Sequence, residues 1–459
     1  MHKISEMGHH VEGLFHEIEI SVKRGDLRSV VDAYMFRIPV GTPVDTWFTE
    51  SSAPHRLLTM VHVASEQGQV QILEWLFSMR AHAELPQPTN GNTPLILAVN
   101  ANKADAANIL LDNHAVVSCK YNKNMSAIWL AVSKGYTKTV SILLRHHANV
   151  NDVYREKALI TLALDGDGDT NKHMALILLR NKAYPNIKSV GSNKFPIHYA
   201  AQHGDCEVLQ ALIAAKAYPS YQDKDGMTPL HYAVRNEHTQ ASILLLESSS
   251  HAEVSSMVKA CSKHFNRTPL HEACMFSTKH AMQNAVDIAN VLIPHGAVVD
   301  YAAASKYTAL HMAAMHGNLA MVVLLLESGA NLFLKNLSGF TPREVAVESA
   351  ADKRSHLSTD SLQKWYNQMQ VVISLLLVTE KHVLRIVVQQ KEPTKTQRHR
   401  TWFGWGKPDE ETGDEIDQDM REMLEREKYA TGISLLDTVD ATDLAHLIST
   451  SVHDSVSIS

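Results

Sequence analysis

Two Cys–His pairs have the spacing of a zinc site. Two residues separate Cys261 from His264, and two separate His271 from Cys274. Thiolate and imidazole are the usual ligands of structural Zn²⁺, so the pairs together outline a four-ligand site. His271 is also part of a recurring Thr-Pro-Leu-His motif, in which its side chain is expected to bond within the motif. We therefore predict no metal and no cofactor at these residues.

Three aspartates alternate with glycines in the manner of a calcium-binding loop. Asp165, Asp167 and Asp169 have the ligand spacing of an EF-hand. No glycine follows the third aspartate, and Leu176 stands where a bidentate glutamate should close the site. Because the segment lies between two apolar runs, we predict a turn between helices and no calcium.

Catalytic motifs are missing from the sequence. We find no GxxxxGK[ST], GxGxxG, HExxH or GxSxG pattern and no kinase motifs. A Cys–His nucleophile pair stays open, because 27 histidines and four cysteines offer many accidental pairs. Cys206 and Cys274 fall in predicted helices, where a buried structural thiol is the usual interpretation. We predict a protein that is not an enzyme, with 348–430 as the region where an activity is left open.

Length and charge exclude several classes of protein. The 459 residues are 45% hydrophobic and 20% charged, and the chain is too long for one core. The formal charge of −6, from 43 basic and 49 acidic residues, argues against a nucleic-acid partner. Four cysteines without a CxxC pair are typical of a reducing compartment. The N-terminus does not resemble a secretory signal and the longest apolar stretch, 371–378, is too short to cross a bilayer, so we expect a soluble protein without a transmembrane segment.

A six-residue motif recurs along most of the chain. It reads TPLHYA from Thr228, TPLHEA from Thr268 and TALHMA from Thr308. Looser copies begin at Thr59, Thr93, Ser126, Ala158, Phe195 and Thr341, and a degenerate copy runs from His16. Six of the eight intervals between successive motif starts lie within four residues of 33. Such a period is the signature of stacked structural repeats.

The motif has the chemistry of a helix start. Thr228 is suited to the N-cap, and Pro229 to the first helical position, where its missing N–H would have been unpaired anyway. Leu230 and Ala233 share one helix face, and the small alanine lets neighbouring helices approach closely. A glycine that accepts a left-handed conformation is predicted to end this helix at Gly135, Gly204 and Gly317. A second apolar run follows in each copy, and only stacking of the copies can bury it.

These residues resemble the ankyrin repeat family, whose unit is a β-turn followed by two antiparallel helices. The resemblance covers roughly 16–380 and implies an all-α solenoid of about nine to ten helix–turn–helix repeats joined by hairpin loops. We predict a capping region with a degenerate repeat in 1–58 and the array in 59–380. A basic, aromatic linker follows in 381–407, and a mostly helical or disordered acidic tail in 408–459.

Three insertions interrupt the array. The segment 248–267 lengthens a connection and is expected to hold an extra helical turn, and 274–287 is expected to lengthen a loop between helices. The segment 348–370 separates the last motif from its second helix, 371–378. Insertions in solenoids lie on one surface and are often functional, but tolerated loop growth explains each of them equally well.

The two C-terminal segments have opposite charge. Residues 381–407 contain seven Lys/Arg against one acid, whereas 408–459 contain three basic and 14 acidic residues. Residues 395–407 combine basic residues with Trp402, Phe403 and Trp405. This composition is typical of segments that bind weakly to a membrane surface or stack on the bases of single-stranded nucleic acid. Folding of these aromatics onto the last repeat is the simpler interpretation, and we prefer it.

An acidic block followed by a short Ser/Thr-rich end resembles the C-terminal translocation signals of bacterial effectors. Such signals direct effectors of bacteria that live inside host vacuoles through type IVB secretion systems, and these effectors commonly carry ankyrin arrays. The resemblance implies a secreted virulence protein that acts in the host-cell cytoplasm on a host protein. An acidic tail that maintains solubility is the plain alternative. A cytoplasmic eukaryotic scaffold or ubiquitin-ligase adaptor is the other, although no F-box or SOCS-box sequence is present.

The family resemblance implies a concave protein-binding surface made of hairpin tips and first helices. By spacing, the tips are Pro86–Asn92, Lys120–Asn124, Asn151–Arg155, Asn186–Asn193, Tyr221–Gly226, Asp300–Lys306 and Lys335–Gly339. The predicted partner-binding residues are Tyr154, Tyr221, Asp223, Lys224, Tyr301, Tyr307 and Lys335. Each of them also has the alternative role of packing its hairpin. The family's asparagine-hydroxylation spacing, eight residues after a Leu and three after an Ala, further predicts candidate modification sites at Asn151 and Asn186.

Overall fold

The computed structural model describes residues 14–38, 44–46, 48–50, 53–121, 125–166, 168–275, 279–354, 367, 369–381 and 383. Most of the predicted linker, the acidic tail with the predicted translocation signal, and most of 348–430 lie outside these residues. The chain divides into two compact units, Met1–Ala309 and Leu310–Ser459.

The first unit begins with two helices and a β-hairpin. Helix α1 covers residues 14–24 and helix α2 Leu27–Phe36, in the segment where the sequence predicts a degenerate repeat. Strand β1 (Phe48–Glu50) pairs antiparallel with β2 (Ala53–Leu58).

Seven further helical pairs follow in the first unit, each with a first helix that starts at the motif and a second helix that runs back. The first helices are α3 (Met60–Gln67), α5 (Pro94–Asn100), α7 (Ala127–Ser133), α9 (Leu159–Leu164), α11 (Pro196–His203), α13 (Pro229–Arg235) and α16 (Pro269–Ala273). The second helices are α4 (Val70–Ser78), α6 (Ala104–Asp112), α8 (Thr137–Arg145), α10 (Asp169–Arg180), α12 (Cys206–Ala214), α14 (Thr239–Glu247) and α17 (Lys279–Leu292). An additional helix, α15 (His251–Lys259), lies between α14 and α16.

The pairs stack in two layers. Each first helix packs on the first helix of the next pair, from α3 to α5 and onward to α16, and each second helix packs on the next second helix, from α4 to α17. Hairpin loops join the pairs, and two of these loops form short sheets, β3 (Lys120–Tyr121) with β4 (Met125–Ser126) and β5 (Val153–Tyr154) with β6 (Lys157–Ala158). The predicted all-α ankyrin-type architecture is confirmed.

The second unit has four described helices. These are α18 (Ala309–His316), α19 (Leu319–Glu327), α20 (Pro342–Arg354) and α21 (residues 369–381). The Arg343 Nε donates a hydrogen bond of 2.8 Å to Glu380 Oε2, which joins α20 to α21 across the predicted insertion. Both side chains are shielded from solvent, so this pair is a buried ionic link between the two helices.

The buried core repeats with the motif. The motif alanine is at most 3% exposed in each first helix of the first unit, at Ala64, Ala98, Ala131, Ala163, Ala200, Ala233 and Ala273. The motif aliphatic residue is equally buried, as at Leu230 and Leu270, and burial of one such side chain contributes about 1.5–3 kcal/mol. The first helices end as the sequence predicts, since Gly135, Gly204 and Gly317 have φ angles of 72°, 71° and 72°.

The insertions differ in part from prediction. Instead of lengthening a loop, 279–287 begins the 14-residue helix α17. The reason is a stripe of buried residues, Ala285, Ile288, Ala289 and Leu292, whose helical spacing extends back into the inserted segment. In 248–267 the extra helical turn is a full nine-residue helix, α15, capped by Ser250 and Glu253. No helix in the described part of the chain is long and apolar enough to cross a membrane.

Candidate protein-binding surface

The motif histidines His198, His231, His271 and His311 connect their first helices to the following hairpins. The Nδ1 of His231 accepts a hydrogen bond from the Thr228 N–H at 3.1 Å, so the ring proton lies on Nε2 and donates to the Arg267 carbonyl at 3.2 Å. Equivalent Nε2 bonds of 3.0–3.2 Å are made by His198, His271 and His311 to the carbonyl oxygens of Met227, Tyr301 and Phe340. Burial lowers the pKa of His198, His231 and His271 to about 4, which keeps these rings neutral.

The four residues with the spacing of a zinc site lie in other surroundings. His271 is engaged by its motif, and Cys274 is completely buried, which raises the pKa of its thiol. Cys261 Sγ lies 3.3 Å from Tyr301 Oη, and His264 Nε2 lies 3.3 Å from Asp225 Oδ1. Among the residues that the structure describes, no three His, Cys, Asp or Glu side chains come together as metal ligands. In the aspartate-glycine segment, Asp165 pairs with Lys157 at 2.6 Å, and Asp167 lies outside the described residues.

A strip of polar and aromatic side chains lies on the first helices α11, α13 and α16. The Lys194 ammonium lies 4.2 Å from the centroid of the Tyr232 ring and 5.5 Å from that of Tyr199, and it donates to Gln202 Oε1 at 3.0 Å. Such cation–π contacts hold the lysine between the two rings. Burial of the ammonium group lowers the pKa of Lys194.

Two carboxylates continue this strip. Asp223 Oδ2 accepts the Tyr232 hydroxyl at 2.6 Å, and burial together with this bond raises the pKa of Tyr232. Arg235 donates through Nε and Nη2 to the two oxygens of Glu272, at 3.2 and 3.3 Å. We call the set Lys194, Tyr199, Gln202, Asp223, Tyr232, Arg235 and Glu272 the inner-helix strip.

Sequence reasoning missed most of the inner-helix strip, although a signal was present. Tyr199, Tyr232 and Glu272 all directly follow the motif histidine, and Gln202 and Arg235 come three residues later, one helical turn further on. Tracing these two motif positions along the repeats would have found these five members of the strip. Lys194 and Asp223 come from hairpins, and only the structure places them beside these helices.

Asp223 was predicted to bind a partner, but its carboxylate is engaged inside its own hairpin. It is only 4% exposed, and its Oδ1 accepts from the backbone N–H groups of Asp225 and Met227, each at 2.9 Å. With the Tyr232 bond on Oδ2, both oxygens are occupied. The residue therefore fixes the shape of the hairpin and the position of Tyr232.

The predicted aromatic anchors lie on different hairpins. The Tyr154 ring packs edge-on against Trp129 at 4.9 Å and beneath the Arg155 guanidinium at 5.3 Å. Tyr221 is 41% exposed, and the neighbouring Lys224 is exposed as well. The structure thus places Tyr221 and Lys224 on one accessible hairpin, whereas Tyr154 lies on an earlier one.

The remaining predicted residues are spread over two further hairpins. Tyr301 is half-buried, and its hydroxyl lies 3.2 Å from Asn266 Oδ1, which ties it to the preceding hairpin. Tyr307 is half-buried and Lys306 beside it exposed. Lys335 is exposed and belongs to the second unit.

The two candidate hydroxylation sites join successive hairpins. Asn151 Oδ1 accepts the Tyr184 N–H at 2.7 Å. Asn186 Oδ1 accepts the Tyr218 N–H at 3.0 Å, and its Nδ2 donates to the Lys216 carbonyl at 2.8 Å. Both amides therefore have a structural role, and their hydroxylation stays a prediction.

Comparison with known proteins identifies the repeats. The family model described as ankyrin repeats matches residues 61–155, 197–300, 253–336 and 277–353, which together are more than half of the chain. The chain is 28% identical to an ankyrin repeat protein of Acanthamoeba polyphaga mimivirus over 159 residues, which are 33% of this chain and 19% of that protein.

Two cellular proteins also match part of the chain. The E3 ubiquitin-protein ligase KEG of Arabidopsis thaliana is 25% identical over 285 residues, which are 51% of this chain and 17% of the ligase. The B-cell lymphoma 3 protein homolog of Mus musculus is 33% identical over 155 residues, 33% of this chain and 32% of that protein. The chain thus spans less than a fifth of the viral protein and the ligase, and about a third of the mouse protein.

Proposed function

Because the chain belongs to the ankyrin repeat family, we propose that it is a protein–protein interaction module that captures its partner along the inner-helix strip. Ankyrin repeats are interaction modules without catalytic activity of their own, and solenoids offer extended surfaces to partners. The observation that carries the proposal is that some positions of the motif are used for folding and one is variable. The motif threonine, aliphatic residue, histidine and alanine are used for capping and packing, whereas the residue after the histidine differs from repeat to repeat.

This variable position makes the strip chemically individual. In chain order the position is held by Val63, Leu97, Leu130, Leu162, Tyr199, Tyr232 and Glu272. Polar and aromatic side chains at this position are concentrated in α11, α13 and α16, next to the half-exposed Arg235. Tyrosine and arginine are enriched at binding hot spots, so we place the main contact at Tyr232 and Arg235.

The relatives support an adaptor role. Proteins named as a ubiquitin ligase, inversin and a cation channel match 51%, 39% and 38% of this chain, although their names describe unlike proteins. We infer that the part they have in common is the repeat array. Its general contribution is therefore recognition of another protein.

Affinity purification from cell lysate, with identification by mass spectrometry, tests the proposal. Tagged full-length protein is compared with Tyr232→Ser and Arg235→Ala, both in the inner-helix strip, and with Gln210→Ser, an exposed residue of α12. We expect a partner that the wild type and Gln210→Ser retain and that the other two variants lose, with unchanged circular dichroism. A partner that all four proteins retain equally, or the absence of any partner, would overturn the proposal.

We propose further that the partner is a host protein and that the chain is a delivered bacterial effector acting in the host-cell cytoplasm. The support is the acidic block followed by a Ser/Thr-rich end in 408–459, combined with an array similar to eukaryotic and viral ones. A translocation reporter fused to the N-terminus provides the test. Delivery that is lost on deletion of 430–459, and in a donor strain without the secretion system, supports the proposal. Absence of delivery favours the eukaryotic scaffold.

A further inference from the structure

A four-residue segment occurs twice, at equivalent places in successive repeats. The tetrapeptide Lys-Ala-Tyr-Pro begins at Lys182 after α10 and again at Lys216 after α12. In both copies the alanine is buried and the lysine and tyrosine are exposed. Tyr184 is 63% exposed and Tyr218 47%, which is unusual for aromatic rings that have a helical core beside them.

The two copies lie side by side. Asn186, two residues after Tyr184, bonds through its amide to both Lys216 and Tyr218, at 2.8 and 3.0 Å. At the other end of the same hairpins, the Lys224 N–H donates to the Ser192 carbonyl at 3.1 Å. The hairpins are therefore joined at both ends and present a single surface.

Aromatic contacts extend this surface. The Tyr221 ring lies 4.6 Å from that of Tyr218 and 4.9 Å from that of Phe195, so three rings form a continuous group. Val190, 57% exposed, lies on the same hairpin as Phe195. We define the lysine–tyrosine surface as Lys182, Tyr184, Lys188, Lys216, Tyr218, Tyr221 and Lys224.

The charge of this surface has one sign. All four of its lysines are exposed. Residues 181–195 contain no carboxylate. Residues 215–226 contain two: Asp223, which is buried with both oxygens bonded within the hairpin, and Asp225, whose Oδ1 lies 3.3 Å from His264 Nε2. A surface with exposed rings and four exposed lysines complements a partner that combines carboxylates with apolar side chains.

The two lysines occupy a place that has a left-handed backbone in several repeats. Lys182 and Lys216 have φ angles of 65° and 67° there. The same place is held with φ angles of 60–67° by Arg80, His114 and His147 in earlier repeats, and by Gly296 and Gly329 in later ones. A side chain in this conformation destabilises the fold by about 1 kcal/mol. Cations are favoured at a helix C-terminus, but that effect is worth only about 0.3–1 kcal/mol and does not require tyrosine two residues later.

We infer that the lysine–tyrosine surface binds an acidic, apolar-containing segment of a partner protein in extended conformation. Packed helices lie about 8–10 Å apart, so Lys182 and Lys216 are separated by about one repeat width. An extended chain in the polyproline II conformation advances about 3.1 Å per residue with three residues per turn, so carboxylates three residues apart lie on one face and fit the two lysines. An apolar side chain between them then contacts the tyrosine rings. This inference rests on the proposed function, to which it adds a second surface and a class of partner.

Fluorescence anisotropy with purified full-length protein tests the inference without a cellular partner. The probe is a short labelled peptide of repeated Glu-Leu-Ser, which places a carboxylate at every third residue. The comparison peptides have the same composition with all glutamates at one end, or lysine in place of glutamate. Labelled oligo(dT) and anionic phospholipid vesicles test whether the surface binds nucleic acid or a membrane instead.

The variants isolate charge from fold. We expect Lys182→Gln/Lys216→Gln to weaken binding of the Glu-Leu-Ser peptide by about tenfold, and Lys182→Arg/Lys216→Arg to restore it. Lys120→Gln/Lys259→Gln removes the same charge from two exposed lysines elsewhere and should leave binding unchanged. Tyr184→Ser/Tyr218→Ser should weaken binding without changing its dependence on salt. Melting temperatures confirm that every variant is folded.

Several results would overturn the inference. These are no binding of the Glu-Leu-Ser peptide, equal loss in the Lys120/Lys259 control, or equal affinity for the peptide with clustered glutamates. Tighter binding of oligo(dT) or vesicles that is lost in the same variants would assign the surface to another class of ligand. The variants of the peptide assay lie outside the inner-helix strip. Failure of the peptide assay therefore does not decide the proposed function, which the affinity purification tests separately.

Discussion

His231 Nε2 lies 3.2 Å from the carbonyl oxygen of Arg267, so the first helix of one repeat donates a buried hydrogen bond to the hairpin that begins the next. The opposite ring nitrogen is held by the N-cap backbone of its own helix. A protonated ring could not accept this second bond, and protonation would place a charge inside the stack. The stacking of repeats is therefore linked to the neutral state of these histidines.

Stability should fall in mild acid. Burial lowers the pKa of His198, His231 and His271 to about 4, below the ordinary value of 6.5. The stabilisation is therefore complete above pH 6.5 and is lost as the pH falls toward 4, by up to about 1.4 kcal/mol per pH unit for each histidine. Urea unfolding across this range provides the measurement. His231→Gln should show a shallower pH dependence, and an unchanged dependence would exclude His231 as a contributor.

Glycine at a left-handed lysine should stabilise the protein and weaken peptide binding together. Lys216→Gly relieves a φ of 67°, and we expect an increase of about 0.5–1 kcal/mol in unfolding free energy with a loss of affinity for the Glu-Leu-Ser peptide. Glu237→Gly relieves a similar φ of 63° at the end of α13 and serves as the control. It should stabilise the protein and leave peptide binding intact. Weaker binding by both variants would show that the loss reflects altered rigidity.

Removing one member of the buried ion pair in the second unit should be strongly destabilising. Arg343→Met leaves the Glu380 carboxylate, 2% exposed, without its arginine, and we expect a loss of about 3–5 kcal/mol. The double variant Arg343→Met/Glu380→Leu removes both charges and should recover most of this loss. Hydrogen exchange of α20 and α21 amides reports on this unit directly. Equal exchange in the single and double variants would contradict the expectation.

Loss of the Asn186 amide should loosen the hairpins of the lysine–tyrosine surface. Asn186→Ala removes two backbone contacts, to Lys216 and Tyr218, and we expect a cost of about 1–3 kcal/mol. Amide exchange at Tyr218 should rise more than exchange at Tyr184, whose N–H is held by Asn151. A uniform rise across the array would indicate global destabilisation instead.

Helix starts followed from the sequence because their chemistry is local. Pro229 and Pro269 stand at the first residue of α13 and α16, as the capping logic of the motif requires. The helix in 274–287 was harder to predict, because most of this segment is polar and its composition also suits a loop. Ala285 and Ile288 are buried in the structure, and this burial makes the segment part of a helix. What decides between a helix and a loop is a partner surface that lies far away in sequence.

The candidate surfaces were predictable only in part. The exposed hairpin position of Tyr221 and Lys224 was predictable because hairpin tips can be counted from the motif. Asp223 differs, since an aspartate that accepts bonds from its own turn and one that points to a partner have the same sequence context. The Lys194 ammonium lies 4.2 Å from the centroid of the Tyr232 ring in the next repeat. Spacing within one repeat does not predict a contact between two repeats.

The packing of each helical pair on the next also decides how the first unit responds to force. Each repeat is fastened to its neighbour and to nothing more distant, so tension applied at the two ends is borne in series. An optical-tweezers trace should therefore show stepwise extension, with about 110–120 Å released for each repeat of about 33 residues. The repeats between Thr228 and Thr308 are 40 residues long and should release longer steps. The length of a step thus distinguishes the opening of a 40-residue repeat from the opening of a shorter one.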